Sequence, residues 1–501
     1  MGLLEHVTGA DGRRAIRVRN PVDNSETGVY PVFTADEVHA VVARAHEVQA
    51  AWALVPVRQR AARMIQAVEV LRKNADAWAE ILRAETGRVA IDTLMIELFA
   101  SLDAMNHFAR RAEAQLADRG VGLHLLKAKR ARVTYVPRGV VGVISPWNGP
   151  FILSINPTIQ AVLGGNAVVI KPSEYTPGAG MLVERLFREA GFPEGLVQVV
   201  TGDGETGAAL LEADLQQVCF TGSVRTGRKV GETCGRRLIP CTLELGGKDP
   251  LIVFADADLE RAAGAAVFGG MINAGQFCSA VERVFVERSA YPAFLEKLTA
   301  KVAALQLGRD IGPFIARPQQ DIVARHVDEA IAAGARLHVG GKPEGGSYLP
   351  TVLSDVPLGC SLMTEETFGP VIPVVPFDTE AEAIAMANAG EFGLGGAVFG
   401  RDLTRCRRVA RQLVVGGVTI NDVALIYGAL ELPFGGRKSS GVGQVHGEDA
   451  LRRFVHAMPV LEDRFGSKEE AVWFPYTDDK IARLRKALDV LWGTPLKWLL
   501  S

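Results

Sequence analysis

Short apolar runs alternate with helical stretches along most of this 501-residue chain, and that alternation limits its fold more than any other feature. Val140 to Ile144 (VVGVI), Ala167 to Ile170, Val197 to Val200 and Gln217 to Phe220 read as buried strands. Helical stretches such as Gly178 to Ala190 and Thr206 to Leu211 separate them, bounded by Gly and Pro. Strands spaced this way predict βαβ units and a parallel sheet, because a parallel neighbour needs a helical crossover. A second series follows Asp249, with Val284 to Val286, Val371 to Val375, Ala397 to Phe399 and Val418 to Ile420. Two α/β domains are expected, with no fixed-period repeat. A 48% hydrophobic chain can supply both cores.

The remaining composition mostly excludes. Lys plus Arg is 55 against Asp plus Glu 57, a net charge of −2 that gives no drive toward nucleic acid. The six cysteines form no C-x-x-C pair and have no zinc spacing, so no metal site and a reducing compartment are expected. No run of about 18 apolar residues suggests a transmembrane helix. The first residues lack the apolar core of a secretory leader, which predicts a cytoplasmic protein.

Two regions break the rhythm. Leu126 to Val136 (LKAKRARVTYV) is partly alternating and strongly basic, which suits an exposed strand rather than a central one. Near the C-terminus Ile481, Leu484, Leu488, Leu491 and Trp492 recur at helical spacing among Lys480, Arg483, Arg485 and Lys486. Such a helix either packs on its own domain or a partner subunit, or lies on a membrane surface.

Three residue types stand out chemically. Cys278, in NAGQFC, lies between the helical run Leu259 to Ile272 and the strand Val284 to Val286. Thiols are intrinsically nucleophilic, although a lone Cys is more often a small buried hydrophobe. Glu244, in LELGGK, ends an apolar strand before two glycines, where backbone can open a cleft; alone it reads as a surface Glu. Asn148, in SPWNGP, sits just past a strand's carboxyl end, where open α/β sheets bind ligands. Its amide is a candidate oxyanion donor, and a turn-forming Asn is the plainer alternative. Gly222-Ser223-Val224-Arg225-Thr226-Gly227 follows a strand and opens a helix, a place suited to a pyrophosphate, although Ser223 serves equally as an N-cap.

The PWN loop, the LELGGK run and the GQFC loop, with Lys171-Pro172-Ser173-Glu174, Phe220-Thr221-Gly222-Ser223, Glu366-Thr367-Phe368-Gly369-Pro370 and Pro433-Phe434-Gly435-Gly436, stand in the order and spacing of the aldehyde dehydrogenase superfamily. The chain resembles that family over nearly its whole length. The resemblance implies that Cys278 attacks an aldehyde, that Asn148 and the Cys278 N–H hold the oxyanion, and that a thioester forms. Glu244 would deprotonate the thiol, the hydrolytic water, or both. It further implies that Ile144, Ser145, Pro146, Trp147, Lys171, Ser173, Glu174, Gly202, Gly222, Ser223, Leu245, Gly246, Glu366 and Phe368 surround NAD(P). Glu174 should repel a 2′-phosphate, so NAD is expected ahead of NADP.

Gly149, Leu153, Asn156, Ile272, Phe277 and Phe434 would line a mostly uncharged substrate tunnel, which suits a hydrophobic or aromatic aldehyde. Val445 stands where many relatives have a second acidic residue of a proton path, and His446-Gly447 with Trp473-Phe474-Pro475-Tyr476 resembles the dimeric, fatty-aldehyde-like class. The implied architecture is a cofactor domain of residues 1–118 and 138–245 and a catalytic domain of 246–445. A bridging element of 119–137 with 451–465 and a tail of 466–501 complete it, in a homodimer or a dimer of dimers. A CoA-acylating relative and an inactive NAD-binding scaffold are the rival readings; the first typically lacks the Glu at position 244.

Overall fold

The computed structural model describes residues 3–9, 12–466 and 468–493. Two mixed sheets organise it. The first has six strands in the order Gly441–Val442, Cys241–Glu244, Gln217–Thr221, Val140–Ile144, Ala167–Lys171 and Val197–Val199. All pair in parallel except the two-residue edge strand, where Leu243 faces Val442. Helices cover both faces, so Val140–Ile144 is buried at every position, the physical reason its sequence is continuously apolar. The chain enters at Val140–Ile144, winds outward to Val197–Val199, then returns to the other side of its first strand as Gln217–Thr221. That reversal leaves a crevice at the strands' carboxyl ends, between the loop after Ile144 and the loop after Thr221.

The second sheet has seven strands, ordered Arg336–Val339, Thr351–Ser354, Val371–Phe377, Val281–Glu287, Asp249–Val253, Gly395–Phe399 and Gly417–Ile420. Its strands pair in parallel except for the antiparallel edge Arg336–Val339. The α/β architecture with parallel sheets thus matches the sequence pattern. One piece does not follow the expected partition: Gly441–Val442 comes from the far end of the second series and closes the edge of the first sheet beside Glu244. An amino-terminal antiparallel sheet of Leu4–Thr8, Arg14–Arg19 and Glu26–Pro31 is not anticipated by the sequence pattern, because its strands are short and largely polar.

Local chemistry fixes the helices near the site. Ser223 caps Val224–Arg237 by accepting from Thr226 N–H, and Asp258 caps Leu259–Met271 by accepting from Glu260 and Arg261 N–H. Thr93–Phe99 is wound as a π-helix between helical segments, a geometry that often marks functional sites. Its wider turn puts Glu97 inside while Met95 and Ile96 stay half-buried.

The basic segment is a correction. Lys129–Pro137 is the middle strand of a three-stranded antiparallel sheet, between Arg119–Val121 and Val455–Asp463, with nine residue pairs from Val455↔Pro137 to Asp463↔Lys129. Neither face of this sheet is buried in the single chain, so a central position here does not demand apolar residues. The tail helix Asp478–Gly493 buries no residue, and Ile481, Leu484, Leu488 and Trp492 stay 47–56% exposed. Packing of its stripe on its own domain is therefore not what the chain does. Residues 467 and 494–501 of the expected tail lie outside the described residues. Among the described residues no helix is long and apolar enough to cross a membrane.

Candidate active site

Two cavities meet at one sulfur. A cleft of about 310 Å³ with a mixed polar and apolar lining is bordered by Trp147, Asn148, Gly222, Ser223, Glu244, Cys278, Glu366 and Phe368, among others. An apolar tunnel of about 130 Å³ is lined by Met95, Ile96, Gly149, Ile152, Leu153, Phe268, Ile272, Phe277 and Tyr427. Asn148, Leu153 and Cys278 border both.

Cys278 follows a tight loop in which Asn273 (φ 52°), Ala274 (φ 56°) and Gly275 (φ 72°) all adopt left-handed backbone. A Cβ on Gly275 would lie 2.2 Å from the Gly369 carbonyl oxygen, so only glycine lets these loops approach. Burial pushes the Cys278 thiol up to about 12; the nearby hydroxyl of Ser279 opposes that, and the carboxylates of Asp249, Glu244 and Glu366 add to it. The sulfur is neutral in the resting chain at pH 7. Ionisation requires a base or a nearby positive charge.

Glu244 ends its strand with both carboxylate oxygens buried and, among the described residues, without a protein donor. Burial raises its pKa well above the usual range, with Arg453 opposing. A buried carboxyl with a raised pKa and no protein donor among the described residues holds a proton more readily than a structural ion-pair member does. Asn148 is buried, and its Nδ2 donates to the Gln276 carbonyl at 3.2 Å, which aims the amide toward the loop carrying Cys278. Val445 is buried against Leu394 and Phe434 and exchanges backbone bonds with Phe434. The charged group that bears on Glu244 from that side is Arg453, whose guanidinium donates to the His446 carbonyl at 2.8 Å.

The cofactor-type residues divide into two groups. Pro146, Trp147, Gly222, Ser223, Leu245, Gly246, Glu366 and Phe368 line the cleft. Trp147 and Phe368 meet edge-on at 5.5 Å. Glu366 accepts from Gly247 N–H at 2.9 Å, and its pKa is pushed up to about 8 by burial and by Glu282. A Cβ on Gly246 would lie 2.5 Å from Glu366, so the second half of LELGGK is small to admit that carboxylate. The Phe368 turn is held from behind, where buried Glu282 accepts from Thr367 and Phe368 N–H, both at 2.8 Å, and pairs with Lys248 at 2.5 Å.

Ile144, Ser145, Lys171, Ser173, Glu174 and Gly202 are not on the cleft wall. Ser145 turns inward to Ser154 at 2.6 Å, whereas Lys171 reaches Glu174 at 3.4 Å at the end of a neighbouring strand.

On the tunnel side, Gly149, Leu153, Ile272 and Phe277 line the wall. Phe434 and Asn156 do not. The Phe434 ring packs edge-on against Tyr427 at 5.0 Å, and Asn156 donates to the Tyr427 hydroxyl at 3.1 Å, so Tyr427 occupies the wall that these two support. Sequence reasoning missed Tyr427, Met95, Ile96 and Phe268. Tyr427 had a signal, since it closely follows the carboxyl end of Gly417–Ile420; the π-helix residues had none.

The profile of the aldehyde dehydrogenase family matches residues 6–460. The chain belongs to the aldehyde dehydrogenase family. It is 39% identical over 480 residues to a 4,4'-diapolycopene aldehyde oxidase of Methylomonas sp, covering 95% of this chain and 91% of that one. It is 38% identical to a putative succinate-semialdehyde dehydrogenase [NADP(+)] of Mycolicibacterium smegmatis, over 92% and 91% of the two chains. A crystal structure of a Mycobacterium tuberculosis aldehyde dehydrogenase complexed with NAD+ superposes with a TM-score of 0.86 at 35% identity, covering 90% of this chain and 95% of that one. This aldehyde dehydrogenase is accordingly an NAD(P)-dependent oxidoreductase that converts aldehydes to acids.

Proposed function

We propose that this enzyme oxidises a hydrophobic or aromatic aldehyde, with NAD preferred and NADP accepted, through a thioester on Cys278 hydrolysed by water that Glu244 activates. The observation that carries this reading is the position of Cys278, at the junction where an apolar tunnel meets a cleft that holds the carboxyl groups of Glu244 and Glu366. The cleft fits a dinucleotide. It offers a capped helix N-terminus at Ser223 for phosphate, an aromatic pair for a flat ring and Glu366 for ribose hydroxyls. Lys171 and Glu174 would hold the adenine-side ribose, and the Glu174 carboxylate disfavours a 2′-phosphate there.

Bound nicotinamide would supply the hydride acceptor and a positive charge beside the sulfur. Cys278 then adds to the aldehyde carbon once Glu244 takes the thiol proton. The Asn148 amide and Cys278 N–H donate to the oxyanion, and loss of hydride leaves a thioester. After passing the thiol proton to solvent, Glu244 takes a proton from water, whose oxygen attacks the thioester; the acid is released and the departing sulfur recovers the proton from Glu244 as the free thiol.

Among the described residues the tunnel wall presents no cation to a carboxylate-bearing substrate. Across straight-chain aldehydes, kcat/KM should rise about fourfold per added methylene until the tunnel is full, following about 0.8 kcal/mol per buried CH₂. Succinic semialdehyde should be at least about 100-fold poorer, and added CoA should leave the NADH rate unchanged. Preference for succinic semialdehyde would overturn the substrate assignment, and CoA dependence would replace hydrolysis by acyl transfer.

The same reading places the enzyme in the cytoplasm as a homodimer or a dimer of dimers. The proposed division remains a cofactor domain of 1–118 and 138–245, a catalytic domain of 246–445, a bridging element of 119–137 with 451–465 and a tail of 466–501, with the edge strand Gly441–Val442 joining the cofactor sheet. The outer edge of Val455–Asp463 is unpaired in the single chain, and the tail helix follows it closely. A partner subunit is therefore the favoured cover for the exposed stripe, ahead of a lipid surface. Removing residues 478–501 should shift the oligomer toward monomer in size-exclusion chromatography. Flotation of the full chain alone with anionic vesicles would assign the stripe to lipid instead.

A further inference from the structure

The buried pair Arg88–Glu97 lies beside the site without bordering either cavity, and the reaction described above makes no use of it. Its side chains are 1% and 0% exposed, and Arg88 Nη1 donates to Glu97 Oε1 at 2.6 Å. The remaining donors of the guanidinium go to the catalytic loops. Nη2 donates to the Asn148 carbonyl, and Nε donates to Asn273 Oδ1 at 2.8 Å. Asn273 donates in turn to the same Asn148 carbonyl at 3.0 Å and to the Gln276 carbonyl at 2.9 Å. The second oxygen of Glu97 accepts from Phe151 N–H at 3.1 Å and Ile152 N–H at 2.8 Å, where the helix after Asn148 begins.

These bonds converge on one quantity, the separation of the loop bearing Asn148 from the loop bearing Cys278. Both proposed oxyanion donors, the Asn148 amide and the Cys278 N–H, ride on those loops. The 273–275 backbone is left-handed throughout, a conformation that persists only when its surroundings hold it. A buried ion pair is also a weak source of net stability, because desolvation offsets its attraction. What a planar fork with three fixed acceptors does supply is geometry.

We propose that Arg88, neutralised and oriented by Glu97, is a positioning residue that holds the Asn148 amide and the Cys278 loop at the spacing a developing oxyanion requires. The inference rests on the oxyanion role given to Asn148 under the proposed function. Arg88 touches neither substrate nor cofactor and acts through its bonds to the Asn148 carbonyl and the Asn273 amide.

The test is a double-mutant cycle in the full-length enzyme. Arg88→Lys keeps the charge and loses the fork. It should lower the rate of the first NADH burst about 10- to 100-fold, the scale of a displacement near 1 Å at a reacting centre. The Kd for NAD, read by quenching of tryptophan fluorescence, should stay within about threefold. In an Asn148→Ala background, where the held amide is already gone, Arg88→Lys should cost less than about threefold more. A purely structural role predicts the same factor in both backgrounds.

Equal factors in the two backgrounds, or an unimpaired burst in Arg88→Lys, would overturn the proposal. Should Arg88→Lys fail to fold, Glu97→Gln serves in the same cycle, since it keeps the volume and weakens the anchor at Phe151 and Ile152. Failure of both variants to fold, judged by circular dichroism, would assign the pair to stability and end the proposal. Failure of the functional reading itself would show differently, as absent aldehyde oxidation in the unmodified chain.

Discussion

Cys278→Ala is expected to reduce NADH formation by at least about 10⁴-fold while NAD binding is retained, because a covalent mechanism without its nucleophile has no alternative route to the thioester. Alanine removes one sulfur from the boundary of cleft and tunnel and leaves Trp147, Ser223, Glu366 and Phe368 in place. NAD should therefore still bind with Kd within about threefold of the unmodified chain, a shift under about 1 kcal/mol. Titration of tryptophan fluorescence checks the binding, and absorbance at the NADH band checks the chemistry.

The thiol's burial adds a second observable. With burial pushing its pKa up to about 12, the thiolate is strongly disfavoured at pH 7. Iodoacetamide should label residue 278 slowly in the free enzyme and faster as pH rises, and saturating NAD should accelerate labelling at fixed pH. Normal oxidation by the Cys278→Ala variant would remove the mechanism.

Glu244→Gln should separate the two halves of the reaction. Steady-state turnover is expected to fall about 10²- to 10⁴-fold, the usual contribution of a positioned base. A single burst of NADH should survive wherever the bound cofactor's positive charge suffices to ionise Cys278. The sign with pH follows from burial. Because the Glu244 pKa is raised, its basic form is depleted at low pH and grows as pH passes upward through that pKa. Turnover of the unmodified enzyme should rise along that limb, and the Gln variant should lose it. Substitution of Gln also removes one negative charge near the sulfur, which lowers the thiol pKa and favours the burst. Rapid-mixing absorbance over a range of pH reads both steps. A Gln variant with full steady-state hydrolysis would assign the base to another residue.

Arg453 bears on the same pH dependence. Val445, at the position where the resemblance implies a second carboxylate, faces an apolar cluster, and the opposing influence on Glu244 is a guanidinium.

Residues in short regular patterns are legible in the sequence because their causes are local. VVGVI is apolar throughout because both faces of its strand are covered, and Ser223 and Asp258 cap helices because their side chains reach only the next few N–H groups. Phe434, Ser145 and the 129–137 strand show where such reasoning stops. An aromatic beside the site and an aromatic one layer behind it have the same sequence character. Only the packing of Tyr427 against Phe434 decides which one lines the tunnel.

By itself, then, the sequence determined the α/β class, the parallel character of the sheets and the three residues Cys278, Glu244 and Asn148 as the set to watch. Periodicity, capping and motif spacing are written over a few neighbouring positions, so a linear reading retains them. Tertiary structure alone decided that Glu244 has no protein donor among the described residues, that Cys278 is held protonated, and that Met95, Ile96 and Tyr427 share a wall. It also decided that Arg88 reaches Asn273 across 185 positions. Burial and charge at a site depend on what distant segments bring to it, and no short stretch of chain encodes its own dielectric surroundings.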